Sequence, residues 1–221
     1  QEFAVNMKEN ARELRNTIAS LGGLDEEELL NKKIAYSSNE NIATATYIGP
    51  SETADDIPLY EIEVKSLASP QINMGKFLPG EASVTLTPST YSFGVGIDDL
   101  NYEFQFNIKS TDTNRDVQER LSRLINNANI GMSAQVITDE NGNSSLRMES
   151  DATGLKEDKP YLFKISDNQT SKTAGAVQYF GLDYIASPSS NASFVINGEE
   201  LSTASNQFTL EHNYELQLTG V

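Results

Sequence analysis

Residues 123–154 read RLINNANIGMSAQVITDENGNSSLRMESDATG, and they contain the clearest turn signal of the chain. Asn141-Gly142 is a dipeptide typical of hairpin turns, and it separates two segments in which apolar and polar residues alternate. The apolar positions that share one face are Met132, Ala134 and Val136 before the turn and Leu146 and Met148 after it. The stretch therefore predicts a β-hairpin with one buried face.

A helix is predicted just before this hairpin. Thr113 and Asp116 form the Ser/Thr-x-x-Asp/Glu pattern of a helix start. One apolar stripe follows, made of Val117, Leu121, Leu124, Ile125 and Ala128. Gly131 comes next and suits the C-terminal cap of a helix. We therefore expect one amphipathic helix packed on antiparallel strands.

Other segments are rich in β-branched and aromatic residues and predict further strands. In 59–67 (LYEIEVKSL) and 102–110 (YEFQFNIKS), apolar and polar residues alternate with period two. The remaining predicted strands are at 33–38, 41–48, 83–88, 161–166, 192–198, 206–210 and 214–220. Because strands outnumber helices, the chain after residue 33 is predicted to be α+β.

The first segment of the chain has a different pattern. Apolar residues spaced alternately by three and four form a heptad seam, which consists of Ala4, Met7, Ala11, Leu14, Ile18 and Leu21. Gly22-Gly23 ends it. Because no other segment carries a matching seam, we predict a coiled-coil-type helix whose partner lies outside this sequence or on another subunit. An ordinary amphipathic helix on the local core is the alternative.

Composition excludes two classes of partner. The 221 residues include 32 acidic and 16 basic side chains, a net charge of -16 that phosphate backbones repel, so we expect no nucleic acid partner. No apolar run is long enough to span a bilayer, so we expect no membrane insertion. The chain has no cysteine, which fits a protein exported unfolded. It begins at Gln1 rather than methionine, so we expect that residue 1 is not its natural start.

A search for catalytic and ligand-binding motifs is negative. His212 is the one histidine, and without cysteine it cannot build a typical zinc site. FGVGIDD at 93–99 lacks the third glycine of a phosphate-binding loop. DENGN at 139–143 lacks the ligand spacing of a calcium loop. We therefore predict no catalytic residue, no cofactor and no metal ion, which means a protein that is not an enzyme.

Several of these segments, in order, resemble one protein family. Residues 33–47 (KIAYSSNENIATATY) and 59–78 (LYEIEVKSLASPQINMGKFL) resemble the start of the bacterial flagellar filament cap protein, also called hook-associated protein 2. Residues 123–154 and 180–221 are similar to two later blocks of that family. Residues 81–104 have no counterpart that we can match.

The resemblance implies a head-domain fragment of a cap protein. We predict a helical leg at 1–33, a discontinuous β-rich subdomain at 34–77 and 185–221, and an inserted α+β subdomain at 78–184. The implied function is a structural, self-assembling cap outside the cell, at the distal tip of the flagellar filament, which promotes flagellin folding and polymerisation. Its partners would be copies of itself and flagellin subunits.

Two alternatives stay open at this point. The chain could be an extracellular adhesin that binds host glycan or mucin through tyrosines and loop amides. Tyrosines near positions 36, 47, 60 and 91 would be its contacts if exposed, whereas the alternation of their strands favours buried faces for them. It could also be another axial flagellar protein.

Overall fold

The computed structural model of the chain describes residues 34–49, 58–156, 158–167 and 169–221. This part is β-rich and contains two helices, in agreement with the predicted α+β class. The seam residues Ala4 to Leu21 lie outside the described residues, so the coiled-coil-type helix stays a prediction.

In chain order the elements are β1 (Ala43–Tyr47), β2 (Ile62–Ser66), β3 (Pro70–Met74), β4 (Leu78–Pro79), β5 (Ser89–Ile97), β6 (Leu100–Ile108), α1 (Asn114–Ala128), β7 (Met132–Thr138), β8 (Asn143–Thr153), β9 (Phe163–Ser166), α2 (Ala176–Phe180), β10 (Ile185–Ser187), β11 (Ala192–Ile196), β12 (Glu199–Thr203), β13 (Gln207–Leu210) and β14 (Tyr214–Leu218). All strand pairs between them are antiparallel.

Two three-stranded sheets enclose a first hydrophobic core. One has the order β1-β14-β13 and the other β12-β11-β2, so both combine strands from the two ends of the described chain. Their facing side chains form what we call the small core: Ala43, Val64, Ala68, Ala192, Phe194, Ile196, Leu216 and Leu218. Phe194 lies within this core and Phe208 packs at its edge, and the centroids of their stacked rings are 4.7 Å apart.

Two further sheets and both helices enclose a second core. In one sheet the long strand β8 pairs with β7 on one side and with β3 and β4 on the other, and β10 extends the sheet beyond β3. The other sheet has the order β6-β5-β9. We call the apolar cluster between them the large core, and its fully buried members include Phe93, Val95, Val117, Leu121, Ile125, Leu146, Met148, Phe180 and Leu182.

The β-hairpin predicted in residues 123–154 is confirmed. Ala134 lies opposite Met148, and Val136 lies opposite Leu146. The turn itself differs from a two-residue Asn-Gly turn, because the Gly142 N–H donates to the Asp139 carbonyl at 3.1 Å. Gly142 therefore follows the turn in the left-handed conformation, at φ 79°, where a glycine costs least.

The predicted helix is also confirmed, but its C-terminal cap was placed wrongly. Thr113 and Asp116 form the full capping box at the start of α1. At the other end, Asn129 and not Gly131 takes the left-handed cap position, with φ 49°. Asparagine tolerates this conformation better than other residues with a Cβ, which is why it can replace glycine here.

Two predicted strands are not strands in the structure. Residues 34–38 have no sheet neighbour, and Ile34 and Tyr36 are exposed. In 83–88, Val84 and Leu86 point toward the large core, but the Val84 N–H donates to the Asp112 carbonyl in the loop before α1. Alternation therefore identified the buried face correctly, while the backbone had no strand to pair with.

Gln71 joins the two sheets of the large core. Its side chain is 1% exposed. The Oε1 atom accepts the N–H groups of Leu162 at 2.8 Å and Phe163 at 3.4 Å. The Nε2 atom donates to the Phe163 carbonyl at 2.8 Å and to Asn73 Oδ1 at 2.9 Å. The amide thus pairs with Phe163 as a neighbouring strand would, and it connects β3 to β9.

Replacing this amide should destabilise the fold strongly. We expect Gln71→Leu to lower the free energy of unfolding by about 3 kcal/mol, because the backbone groups of residues 162 and 163 lose their buried partner. Urea denaturation of the variant and parent measures this difference. Gln105→Leu is the matched control, since Gln105 is an exposed amide bonded to Glu103 and Ser171. Equal losses in the two variants would contradict the role of Gln71.

A partly buried ion pair attaches α1 to the end of β6. The Asp112 carboxylate accepts two hydrogen bonds from the Arg120 guanidinium, at 2.8 and 3.1 Å. It also accepts the Lys109 N–H at 2.9 Å, and Arg120 donates to the Asn107 carbonyl at 2.5 Å. These donors, Arg120 first, lower the pKa of Asp112 below its ordinary value.

Because of this ion pair, the free energy of unfolding should depend on pH in the acidic range. A carboxyl with a lowered pKa in the folded state stabilises fully above its unfolded pKa of about 3.9, and that contribution is lost as the pH falls through the lower folded pKa. We expect the loss of unfolding free energy between about pH 5 and about pH 2 to be smaller in Asp112→Asn than in the parent. Urea denaturation across that range tests this, and identical pH profiles would contradict it.

Candidate functional site

The acidic residues of the two rejected binding-loop motifs have structural roles. Asp98 and Asp99 form the turn between β5 and β6, and they pair with Lys156 at 3.4 Å and Lys159 at 3.1 Å. The Asp139 carboxylate is occupied by hydrogen bonds from its own turn. Within the described ranges, no group of three or more His, Cys, Asp or Glu side chains is arranged to hold a metal ion. In the same ranges, no helix is both long enough and apolar enough to cross a membrane.

The most concentrated aromatic surface lies at one end of the small core. We call it the tyrosine cluster, and it consists of Tyr47, Tyr60, Tyr214 and Glu211. Register places Tyr47 directly opposite Tyr214, and their ring centroids are 5.5 Å apart in an edge-to-face arrangement. Tyr60 approaches Tyr214 at 5.7 Å from the segment before β2. Its hydroxyl donates to Glu211 Oε2 at 2.5 Å. Strands β1 and β14, the segment before β2 and the turn after β13 therefore bring these residues to one partly exposed surface.

Apolar side chains extend this surface into solvent. Ile48 follows Tyr47 and is 50% exposed, while Leu59 precedes Tyr60 and is 92% exposed. Tyrosine combines a large contact area with a polar tip and few rotatable bonds, so such clusters suit contacts with other molecules. The arrangement can bind by packing and hydrogen bonding.

The tyrosines proposed from the sequence as contact residues have different environments. Tyr36 is exposed, and Tyr47 and Tyr60 are partly buried in the cluster. Tyr91 is the wrong residue for such a contact, because it is 3% exposed in the large core and its hydroxyl donates to the Thr87 carbonyl. Tyr214 was missed. Its place is set by the pairing of β1 with β14, which local sequence does not reveal.

A second exposed apolar surface lies at the edge of the five-stranded sheet. We call it the β10 edge, and it consists of Tyr184 and β10. Tyr184 is 65% exposed and Ile185 is 37% exposed. Within the described residues, β10 pairs with β3 alone. An unpaired strand edge with exposed apolar side chains is a place where another chain can add.

Charge is distributed unevenly along the chain. Residues 34–64 and 173–221, which supply most of the small core, contain no lysine or arginine. Lys65, at the end of β2, pairs with Glu63 on the same strand. The surface around the small core is therefore strongly acidic.

The Tyr60–Glu211 hydrogen bond gives a measurable signature of the tyrosine cluster. It raises the pKa of Tyr60 to about 12, with smaller contributions from desolvation and the Glu211 charge. We expect the spectrophotometric titration of the parent minus that of Tyr60→Phe to have its midpoint near this value, and Glu211→Gln to move it toward about 10. Because the folded pKa is raised, the contribution of this contact is present below about pH 10 and is lost as the pH rises further. A midpoint unchanged by Glu211→Gln would contradict the contact.

A scan against protein-family models finds no match, and a search of curated protein sequences finds none either. Solved structures do match. The D1-D2-D3 domains of the flagellar cap protein FliD from Escherichia coli superpose with a TM-score of 0.63 and 21% identity, over 88% of this chain and 56% of that chain. The D2-D3 domains of E. coli FliD superpose with a TM-score of 0.55 and 22% identity, over 81% of this chain and 89% of that chain. FliD from Bdellovibrio bacteriovorus superposes with a TM-score of 0.52 and 19% identity, over 85% of this chain and 94% of that chain.

These matches establish the fold. The chain has the fold of flagellar cap head domains over most of its length, so the resemblance inferred from the sequence is confirmed at that level. The chain spans 56% of the length of the three-domain E. coli structure. It therefore fits a fragment of such a head.

Proposed function

We propose that this chain is the head of a flagellar filament cap and that its role is structural. The observation that carries the proposal is the match of its fold to cap proteins of different bacteria over at least 81% of the chain. The described residues add to this, since they present partly exposed aromatic and apolar surfaces that suit contacts with other chains. Localisation outside the cell, at the distal tip of the filament, is part of the proposal.

The finer parts of the function rest on the same fold. Copies of the chain associate through their heads, and the helical seam at 4–21 belongs to a leg that contacts the filament. Flagellin subunits fold and polymerise beneath the heads. Two exposed surfaces support such contacts, the tyrosine cluster and the β10 edge.

The subdomain division is also a proposal. The two cores share no residue, which supports separate units. Strands β3 and β10 belong to the sheet of β8, and so to the inserted subdomain. If the division holds, the chain therefore passes between the two subdomains near residues 69 and 190, not at the predicted boundaries 77 and 185.

Deleting the gene in the source bacterium tests the function. We expect cells to lose filaments and motility and to release flagellin into the medium as unassembled subunits, and we expect the intact full-length gene to restore all three. Immunogold labelling with antibodies against the head should mark filament tips in the restored strain. Full-length filaments in the deletion strain would overturn the proposal.

The adhesin hypothesis provides the alternative outcome. Normal filaments together with mucin or glycan binding by the isolated head would favour it, and loss of binding in Tyr60→Ala would then assign that activity to the tyrosine cluster.

A further inference from the structure

The chain passes between its two cores at two places that lie side by side. Ser69 follows the small-core residue Ala68, and Ser190 precedes the small-core residue Ala192. The Ser69 N–H donates to the Ser190 carbonyl at 2.9 Å, and the Ser190 N–H returns a bond at 3.3 Å. Their hydroxyl oxygens are 2.8 Å apart. We call this pair of crossing segments the neck.

A second set of contacts joins the two cores beside the neck. At the end of β8, the Thr153 hydroxyl donates to the Ala204 carbonyl at 2.8 Å, and the Leu155 N–H donates to Asn191 Oδ1 at 2.6 Å. Between them, Gly154 lies so close to Ala204 that a Cβ would be 2.4 Å from the Ala204 Cα. We call residues 153–155 with Asn191 and Ala204 the latch.

The junction is small, and it is separate from both cores. The large and small cores have no buried side chain in common, and the partly buried apolar residues around each core are also different. A cavity of about 130 Å³ borders the latch, and Gly154, Tyr161 and Ala204 are among its lining residues. Units joined by a small polar interface move relative to each other unless specific contacts hold them.

We infer that the neck is a hinge and that the latch holds it in one orientation. Two crossing segments bonded to each other allow rotation about their common axis without breaking either sheet. The latch lies directly beside the neck, where the Gly154 N–H donates to the Ser69 carbonyl at 3.1 Å, and its contacts with Ala204 and Asn191 fix the angle. Two hydrogen bonds and one glycine contact are weak enough for the two halves of the molecule to separate there while both cores stay intact. This inference concerns the isolated chain and does not depend on the cap function.

Distance measurement between the two halves tests the hinge. The chain has no cysteine, so Arg123→Cys on α1 and Glu200→Cys on β12 give one label on each side. Both side chains are exposed. Pulsed electron spin resonance of the doubly spin-labelled chain should give one narrow distance distribution.

Two variants open the latch by different routes. Thr153→Val with Asn191→Ala removes both of its hydrogen-bonding side chains, and Gly154→Ala inserts a Cβ where Ala204 leaves no room. In each we expect the distribution to broaden and its mean to shift by more than about 2 Å, the scale of domain rearrangements. Circular dichroism should show unchanged strand content, because neither core is touched.

The chain offers a matched control for each variant. Thr90→Val with Asn107→Ala removes a hydroxyl and an amide that bond each other within one sheet, at 2.7 Å. Gly142→Ala adds a Cβ at a similar left-handed glycine, φ 79° against 66°, but with no atom within 4 Å. Both controls should keep the narrow distribution of the parent. A narrow distribution in the latch variants, or equal broadening in the controls, would overturn the hinge.

Discussion

The carboxamide of Gln71 lies where the five-stranded sheet contacts the sheet of β9. The two sheets enclose the large core, so this contact is needed to form it. Strand β3 is polar on its buried side, where Gln71 and Asn73 face inward. Buried polar groups are tolerable only when each finds a partner, and here both amides bond to backbone groups: Gln71 to Leu162 and Phe163 at the edge strand β9, and Asn73 to Leu182 after α2. The polar side of β3 therefore positions β9 and, through the Leu182 carbonyl, the end of α2.

The same device recurs at two other places. Asn126 on α1 accepts the Ala134 N–H at 2.8 Å and donates to the Ala134 carbonyl at 2.9 Å, which covers the outer edge of β7. Asn206 makes the equivalent pair with Ala68, at 2.7 and 3.0 Å, at the end of β2. A side-chain amide has one acceptor and donors in the geometry of a peptide group, so it can replace a missing strand for one residue. Covered edges of this kind also resist unwanted pairing with other chains.

Sequence reasoning succeeded where one face of an element is buried and the other is solvated. The strands β1, β2, β6 and β7 and the helix α1 all have this character, and each was predicted. Strand β8 was predicted from Leu146 and Met148, although Ser144 and Ser145 are also buried. Strand β5 was missed because Ser92, Gly94 and Gly96 interrupt its outward side, so FGVGIDD was considered only as a loop. Strand β3 was missed because its inward residues are amides. The tyrosine cluster was half predictable, since Tyr47 and Tyr60 stand out locally while Tyr214 and Glu211 join them through long-range pairing alone.

Charge sets a condition on any assembly of this chain. The surface around the small core has almost no cation, so two copies that approach through these surfaces repel each other over roughly a Debye length, about 10 Å at 0.1 M salt. Attraction must then come from apolar or aromatic contacts at short range, which the β10 edge and the tyrosine cluster can supply. Long-range repulsion with short-range attraction gives contacts that are weak and easily exchanged. For the proposed cap, which has to remain at the tip while subunits pass beneath it, weak contacts of this kind suit the task better than a tight, permanent interface.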